Sequence, residues 1–210
     1  MTKTDLENTP DRRWANTLTE YLARYNITLG ENPRILNIGC GKNVTWNFLG
    51  VLFYLASHDL GFPDYVGVDV TEEAFGDGKR ALGDLVTFVP CDARDLGNHV
   101  KGPFHLVIIE HPNLSTSPEG PRIWGKIFQE AGELLDDNGV LILTSFWLND
   151  HIPAQIALER CHYRILYSGR NQFPGRRFDT SSSGEPLVME KYILLARKGT
   201  RRIGPQDRQQ

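Results

Sequence analysis

Acidic and imidazole side chains follow three apolar stretches of this sequence, at the point where each stretch ends. Asp69 closes YVGVD, Asp92 comes directly after FVPC, and Glu110 and His111 close HLVIIEH. Carboxylates accept hydrogen bonds from sugar hydroxyls or amino groups, and a histidine exchanges protons near neutral pH. The sequence therefore places hydrogen-bonding and acid–base chemistry at the ends of successive apolar segments.

A glycine pair lies at the end of an earlier apolar run, in RILNIGCGKN. Gly39 and Gly41 allow a tight turn and a close approach of backbone to a ligand, and the helix that follows directs its positive end at that space. A dinucleotide site would place a third glycine at Val44 and an acid about 20 residues on. Val44 does not fit, and Asp69 stands 28 residues after Gly41. A nicotinamide-dependent oxidoreductase is therefore the least favoured enzyme class.

The elements that must position these residues alternate between strand and helix. Short apolar runs predict strands at 34–38, 65–70, 85–90, 105–110, 140–146, 163–168 and 189–196. Helical spacing predicts helices at 10–25, 44–57, 72–82, 121–135 and 152–161. The segment 169–184 is rich in Gly, Ser and Arg, and we expect a loop there.

This alternation, with solidly apolar central strands, predicts an α/β fold. We expect a doubly wound, mostly parallel seven-stranded sheet with helices on both faces and a terminal antiparallel hairpin. In such sheets ligands bind at the carboxyl ends of the strands. The predicted organisation is an N-terminal helical segment at 1–30, one Rossmann-like domain at 31–198 and a disordered basic tail at 199–210.

The composition of the chain argues against several classes of function. The chain of 210 residues is 40% hydrophobic with a formal net charge of -3, which indicates a globular protein and argues against a nucleic-acid-binding surface. No secretion signal is evident and the most apolar stretch, 44–56, is too short for a bilayer, so we expect a cytoplasmic protein without a membrane partner. The three cysteines and six histidines lack metal-ligand spacing, and we expect no metal site.

The sequence from about residue 34 to 146, and weakly to 196, resembles the S-adenosylmethionine-dependent methyltransferases of the Rossmann-like class I family. ILNIGCG is similar to the first family motif, YVGVDV to the second, VPCDARDL to the third and FHLVIIEHPN to the fourth. LLDDNGVLILTSF is similar to the family's helix, glycine turn and fifth strand. The two closing strands suit the antiparallel hairpin that ends that fold.

Two positions depart from the family pattern. Asn37 replaces the acidic residue usual two places before the first glycine, and Asn43, in place of a small loop residue, is expected to cap the following helix. The fourth motif is not Asp-Pro-Pro-Tyr or Asn-Pro-Pro-Tyr. It therefore does not support transfer to a base amine or a glutamine amide.

The resemblance implies that S-adenosyl-L-methionine binds at the strand ends, with Asp69 on the ribose and Asp92 beside adenine. The implied cofactor contacts are Asn37, Gly39, Cys40, Gly41, Asp69, Val70, Asp92, Ala93 and Glu110. The implied acceptor pocket contains His111, Asn113 and Trp147. His111 is the natural general-base candidate, and Glu110 either acts on the cofactor's cationic end or forms a structural pair with an arginine.

The implied function is methyl transfer to a small-molecule, non-nucleic-acid acceptor by in-line displacement, in a monomer or homodimer. A sulfonium methyl is already activated, so positioning supplies most of the catalysis. Two alternatives stay open: another S-adenosylmethionine-using transferase of the aminopropyl type, and a non-catalytic cofactor-binding module. The first helix either covers the sheet or lies over the cofactor as a lid.

Overall fold

A seven-stranded sheet forms the centre of the computed structural model, which describes residues 9–175, 177–180 and 186–199. The frayed start predicted at 1–8 and, apart from Gly199, the predicted tail lie outside the described residues. The strands are β1 (Arg34–Ile38), β2 (Asp64–Asp69), β3 (Thr87–Pro90), β4 (Phe104–Glu110), β5 (Leu135–Ser145), β6 (Tyr163–Arg170), β7 (Arg177–Thr180), β8 (Pro186–Val188) and β9 (Tyr192–Lys198). The helices are α1 (Pro10–Arg24), α2 (Val44–Ser57), α3 (Gly76–Leu82), α4 (Leu96–His99), α5 (Gly120–Leu134) and α6 (Leu148–Arg160).

The strand order in the large sheet is β3-β2-β1-β4-β5-β9-β6. The first five strands run parallel, while β9 lies antiparallel between β5 and β6. Because the order reverses direction at β1 and β4, the sheet is doubly wound and its crevice lies at the carboxyl ends of these strands. The predicted fold class is confirmed, including the antiparallel hairpin that closes the sheet.

Helices cover both faces of the sheet. On one face α1 and α2 pack with alternate strand residues such as Ile35 and Ile108. On the other face α5 and α6 pack with the intervening residues, among them Leu36 and Ile109. Strands buried on both sides explain the continuous apolar runs in the sequence. None of the described helices combines the length and the apolar character needed to cross a bilayer.

Helix α1 belongs to the core of the first face. Its apolar positions Trp14, Leu18 and Tyr21 are buried, in agreement with their helical spacing. It crosses α2 at Gly50, where a Cβ atom would lie 2.6 Å from Trp14 Cδ1. The two helices approach this closely only because position 50 has no side chain.

Three local expectations were wrong. The 72–82 helix is split into a 3-10 turn (Glu72–Phe75) and α3, since glycines at 76 and 78 weaken helical propensity. Strand β5 starts at Leu135 rather than residue 140, because Leu135 pairs with Phe104 before the register shifts and Val140 pairs with Leu106. Within 169–184, residues of β7 pair with β8 as a second two-stranded sheet.

Candidate active site

The predicted site residues lie along one edge of the sheet. Ile38 of β1 is in register with Val68 of β2 and Ile109 of β4, so the residues that follow these three positions lie side by side at the edge. Gly39, Asp69 and Glu110 are the next residues in each case. Parallel pairing therefore brings three sequence-distant predictions to the crevice of the doubly wound sheet.

The glycine loop turns away from the sheet immediately after β1. The backbone N–H groups of Gly39 and Cys40 donate to the Val68 carbonyl at 2.8 and 3.1 Å. Gly39 and Gly41 have φ angles of +66° and +46°, in the left-handed region that favours glycine. A Cβ atom on Gly39 would find nothing within 4 Å. The loop therefore presents bare backbone to open space.

Asp69 fastens this loop to the end of β2. Its Oδ2 accepts a hydrogen bond from the Gly41 N–H at 2.9 Å, and its Oδ1 accepts one from the Val70 N–H at 2.8 Å. Each carboxylate oxygen keeps a further lone pair, and the residue is half-buried. The carboxylate can therefore accept ligand hydroxyl groups while it holds the loop. Val70 beside it is an apolar side chain 69% exposed at the same edge.

Asp92 follows β3 and is paired with a neighbour. It accepts hydrogen bonds from the Arg94 backbone N–H at 2.9 Å and from Arg94 Nε at 3.0 Å. The side-chain hydrogen bond from Arg94, with its backbone N–H, lowers the pKa of Asp92 below its ordinary value. Ala93 begins the 3-10 turn that follows. Asp92 lies at the predicted edge, and its adenine-binding role stays a prediction.

Glu110 is the buried acid of the site, with 8% of its surface exposed. Its Oε2 accepts a hydrogen bond from Asn43 Nδ2 at 3.2 Å. The expectation that the Asn43 side chain caps α2 was therefore wrong, because that amide is directed to Glu110 instead. Burial raises the pKa of Glu110, and the nearby amides of Asn47 and Asn43 lower it. The Asn47 nitrogen itself makes no hydrogen bond of normal geometry.

Asn37 occupies the family's acidic position and is completely buried. Its Nδ2 donates to the Tyr65 hydroxyl at 2.9 Å, while its Oδ1 has no hydrogen-bond partner. Burial raises the pKa of Tyr65, so the phenol is neutral. A neutral amide suits this dry position, where an unpaired carboxylate would be costly.

His111 has a left-handed backbone, with φ of +52°, and its N–H donates to the Thr144 carbonyl at 2.8 Å. The imidazole is stacked on the Phe146 ring, and neither ring nitrogen has a hydrogen-bond partner. Burial lowers the pKa of His111 to about 3. The ring is therefore neutral near pH 7 and is a weak base. Backbone strain of this kind in a bulky residue is a feature of functional sites.

Asn113 and Trp147 lie at the same edge, after β4 and β5. Asn113 is exposed, and its carbonyl accepts a hydrogen bond from the Thr116 hydroxyl at 3.1 Å. Trp147 is 36% exposed at the start of α6. Both positions are open to a ligand, and their place in an acceptor pocket stays a prediction.

Sequence reasoning missed Glu190, which was included in the strand predicted at 189–196. The strand begins instead at Tyr192, because Met189 and Glu190 form the turn that precedes it. Burial and then the charge of Glu110 raise the pKa of Glu190 to about 8, while Arg13 lowers it. No sequence pattern identifies this residue, since its environment comes from elements far apart in the chain.

Unpartnered polar atoms are concentrated at this edge. Eight buried side-chain nitrogen or oxygen atoms of the described residues lack a hydrogen-bond partner. Five of them belong to Asn37, Asn47, His111 and Thr144. Buried polar groups are nearly always satisfied, so such a concentration indicates a ligand that supplies partners. Asn47 and Thr144 were also missed, although Thr144 is a polar residue within the apolar run VLILTSF.

Other parts of the described chain show weaker evidence of a functional site. A surface groove of about 910 Å³ lies at the opposite, amino-terminal edge of the sheet, lined by residues such as Glu133, Arg160 and Lys198. It contains none of the predicted site residues. In the described ranges no three His, Cys, Asp or Glu side chains converge as metal ligands.

Comparison with solved structures identifies the fold. A structure of an S-adenosylmethionine-dependent methyltransferase from Clostridium acetobutylicum superposes with a TM-score of 0.62 at 11% identity, covering 94% of this chain and 95% of the other. The N-methyltransferase NodS from Bradyrhizobium japonicum gives 0.60 at 14%, covering 92% and 99%. An rRNA methylase from Streptococcus thermophilus gives 0.54 at 14%, covering 91% and 97%.

These sequence identities are low, so the similarities show the architecture alone. The chain has the class I, Rossmann-like methyltransferase fold. No protein-family model matches the sequence, and no curated protein matches it.

Proposed function

We propose that this protein is an S-adenosylmethionine-dependent methyltransferase that modifies a small molecule. The carrying observation is the bond from the Gly41 N–H to Asp69 Oδ2 at 2.9 Å, which joins a bare glycine loop to a strand-end acid. The similarity of the fold to solved methyltransferases supports the same function. The formal net charge of -3 favours a small acceptor over a nucleic acid.

The described residues fit an adenosyl group with a methionine tail. Gly39 offers backbone with open space above it, and Asp69 can accept both ribose hydroxyls. The exposed Val70 side chain and the Ala93 backbone suit the two sides of an adenine ring, with Asp92 beside its amino group. The unpartnered Asn37 Oδ1 suits a donor at the methionine end.

Once bound, a sulfonium supplies a methyl carbon that the acceptor's lone pair attacks in line, while the carbon–sulfur bond breaks with its electron pair on sulfur. The protein's part in such a reaction is to hold two partners in line and to exclude water. The glycine loop and Asp69 fix the cofactor. Glu110, buried at the end of β4, stabilises the cationic region between the two.

In this arrangement the His111 ring lines the acceptor pocket and accepts a hydrogen bond. A ring with a pKa of about 3 takes up a proton poorly at neutral pH, so a role as general base is disfavoured. Stacking on Phe146 fixes the plane of the imidazole. A neutral nitrogen in a fixed plane can orient an N–H or O–H donor of the acceptor.

Calorimetry with S-adenosylhomocysteine, the demethylated cofactor, tests the binding half of this proposal. We expect one site per chain. Incubation with S-adenosylmethionine and small amines, phenols and carboxylates, followed by mass spectrometry, tests the transfer. A gain of one methyl group supports the proposal. A gain of a propyl chain would identify the aminopropyl alternative. Binding without turnover would identify the non-catalytic alternative. In a parallel incubation with RNA, methylation of RNA alone would refute the small-molecule acceptor.

A further inference from the structure

We infer that the acceptor is an amine, whose ammonium group binds between the carboxylates of Glu110 and Glu190. This inference rests on the proposed function and names its substrate class. The supporting observations are the position of Glu190, the charges around it and the unpartnered hydroxyl group of Thr144 next to Glu110.

Glu190 lies in a turn at the edge of the site. The Gly175 N–H donates to the Met189 carbonyl at 2.7 Å, and the Asn171 N–H donates to the Lys191 carbonyl at 3.0 Å. A Cβ atom on Gly175 would lie 2.9 Å from Glu190 Oε2. Glu190 also has a left-handed backbone, with φ of +46°. Backbone hydrogen bonds on both sides of Glu190 therefore hold the turn in an unfavourable conformation.

Strand register sets the two acids on either side of β5. Glu110 is in register with Thr144 on β5, and the next residue, Ser145, is in register with Tyr192 at the start of β9. Two strand spacings separate β4 from β9, roughly 10 Å. Glutamate side chains reach far enough into this gap to hold one small cationic group between them.

The charge balance of the pocket favours a cation. Glu110 is buried and Glu190 is partly buried, and the charge of Glu110 opposes ionisation of Glu190. Among the described residues, Arg13 of α1 is the cation that lowers the pKa of Glu190. An ammonium group supplies the positive charge that restores neutrality when both acids are ionised.

An unpartnered hydroxyl group beside Glu110 indicates that the occupant is polar. Thr144 is fully buried, lies on the same face as Glu110, and has a hydroxyl oxygen without a partner. Asn47 is 3% exposed, and its amide lowers the pKa of Glu110, which favours the ionised acid. A primary ammonium group has three donors, enough for the two carboxylates and the Thr144 oxygen.

The position of Glu190 separates this site from the cofactor. The proposed cofactor contacts lie at the ends of β1, β2 and β3, whereas Glu190 precedes β9. Three strand spacings, roughly 14 Å, separate β9 from β1. Glu110 lies between the two halves, so Glu110 can act on either partner while Glu190 acts on the acceptor.

The same pair of acids accounts for the proton balance. One N–H bond of the bound ammonium breaks, its proton passes to a Glu190 oxygen, and the freed lone pair attacks the donor methyl carbon. The product ammonium then carries the positive charge that the sulfonium has lost.

The test uses the full chain saturated with S-adenosylhomocysteine and follows its melting temperature. The probes are primary amines, such as propylamine, phenethylamine and tryptamine, each paired with the alcohol of the same skeleton. We expect at least one amine to raise the melting temperature by about 3 °C more than its alcohol. Glu190→Gln should abolish this difference, whereas Glu133→Gln, an exposed acid at the opposite edge, should preserve it.

Two results would overturn the inference: no amine exceeding its alcohol, or an amine preference that survives in Glu190→Gln. Calorimetry with S-adenosylhomocysteine on the same samples keeps the proposed function separate. If the demethylated cofactor binds and the amines fail, only the inference is wrong. If the demethylated cofactor does not bind, the proposed function is wrong and the inference falls with it.

Discussion

The imidazole of His111 lies flat on the ring of Phe146, with ring centroids 3.4 Å apart and planes 7° from parallel. This contact joins the end of β4 to the residue that follows β5, across the edge where the proposed cofactor and acceptor meet. It also keeps both imidazole nitrogens from water. The protonation state of His111 therefore depends on a neighbouring strand.

His111 should remain neutral across the physiological pH range. Burial lowers its pKa to about 3, so its C2 proton resonance should not shift between pH 5 and pH 8 in nuclear magnetic resonance spectra. Phe146→Ala admits water to the ring and should bring a titration back toward the ordinary value of about 6.5. A wild-type resonance that titrates near pH 6.5 would contradict the burial argument.

The same burial has a consequence for acid stability. An unfolded histidine takes up a proton near pH 6.5, whereas native His111 does so only near pH 3. The unfolded state binds more protons between these values, so the free energy of unfolding falls as the pH falls through this window. His111→Phe should show a weaker loss of stability below pH 6.5 in urea denaturation. A parallel pH dependence in the two proteins would refute this assignment.

Asp69→Asn should weaken binding of S-adenosylhomocysteine by about 10- to 100-fold, because charged hydrogen bonds contribute about 1.5–3 kcal/mol each. The substitution also replaces one acceptor oxygen with a donor opposite the Gly41 N–H or the Val70 N–H. Calorimetry measures the affinity, and Asp84→Asn, at an exposed acid in another turn, is the matched control. Equal affinities in the two variants would remove Asp69 from the ribose site.

Gly39→Ala and Gly30→Ala form a matched pair. Both glycines have positive φ angles, +66° and +76°, and neither has an atom within 4 Å of an added Cβ. Each substitution should lower the free energy of unfolding by about 1–2 kcal/mol through backbone strain. Only Gly39→Ala should also weaken S-adenosylhomocysteine binding, by at least about tenfold, because its methyl group enters the proposed site. Equal binding losses would indicate a general effect of loop strain.

Glu190→Gln should change how stability depends on pH. An unfolded glutamate loses its proton near pH 4.5, whereas native Glu190, facing Glu110 and Arg13, does so near pH 8. The native state binds more protons in this window, so wild-type stability falls, relative to the variant, as the pH rises from about 4.5 to 8. Urea denaturation of both proteins at pH 5 and pH 8 measures the difference. A constant difference between them would show that Glu190 is not perturbed.

Gly50→Ala should destabilise the contact between α1 and α2. Its methyl carbon would lie 2.6 Å from Trp14 Cδ1 and 2.9 Å from the Asp11 carbonyl oxygen. Overpacking of this kind costs about 1–3 kcal/mol, which lowers the melting temperature of a chain this size by about 2–12 °C. Gly125→Ala is the control of opposite sign. Gly125 lies inside α5 with nothing within 4 Å of an added Cβ, so alanine there should raise the melting temperature.

The elements that position the site could be predicted because local pattern and burial agree. Strand β1 and helix α2 have the predicted bounds, 34–38 and 44–57, since both are apolar segments with clear ends. The large sheet followed from the alternation of such segments. Strand β5 shows the limit, because Leu135 joins it by pairing with Phe104, and the polar residues 136–138 that follow give no apolar strand pattern.

The site was predictable where each residue ends its own strand. Gly39, Asp69 and Glu110 follow this rule, and parallel register brings them together. Glu190 could not be predicted, since Glu110 and Arg13, the charged groups that act on it, lie 80 and 177 residues away in sequence. The hydrogen-bond partner of the Asn43 amide could not be predicted either. Either the helix end or Glu110 could bind this amide, and the structure shows that it donates to Glu110.

The place of β9 has a consequence for how the chain is made. This strand, which ends at Lys198, is inserted between β5 and β6. During translation both earlier strands emerge from the ribosome before their shared neighbour, and each exposes an unpaired edge of backbone N–H and C=O groups. A nascent chain stalled before residue 192 would therefore lack the strand that joins these edges, and we expect it to bind chaperones and to aggregate more readily than the full chain.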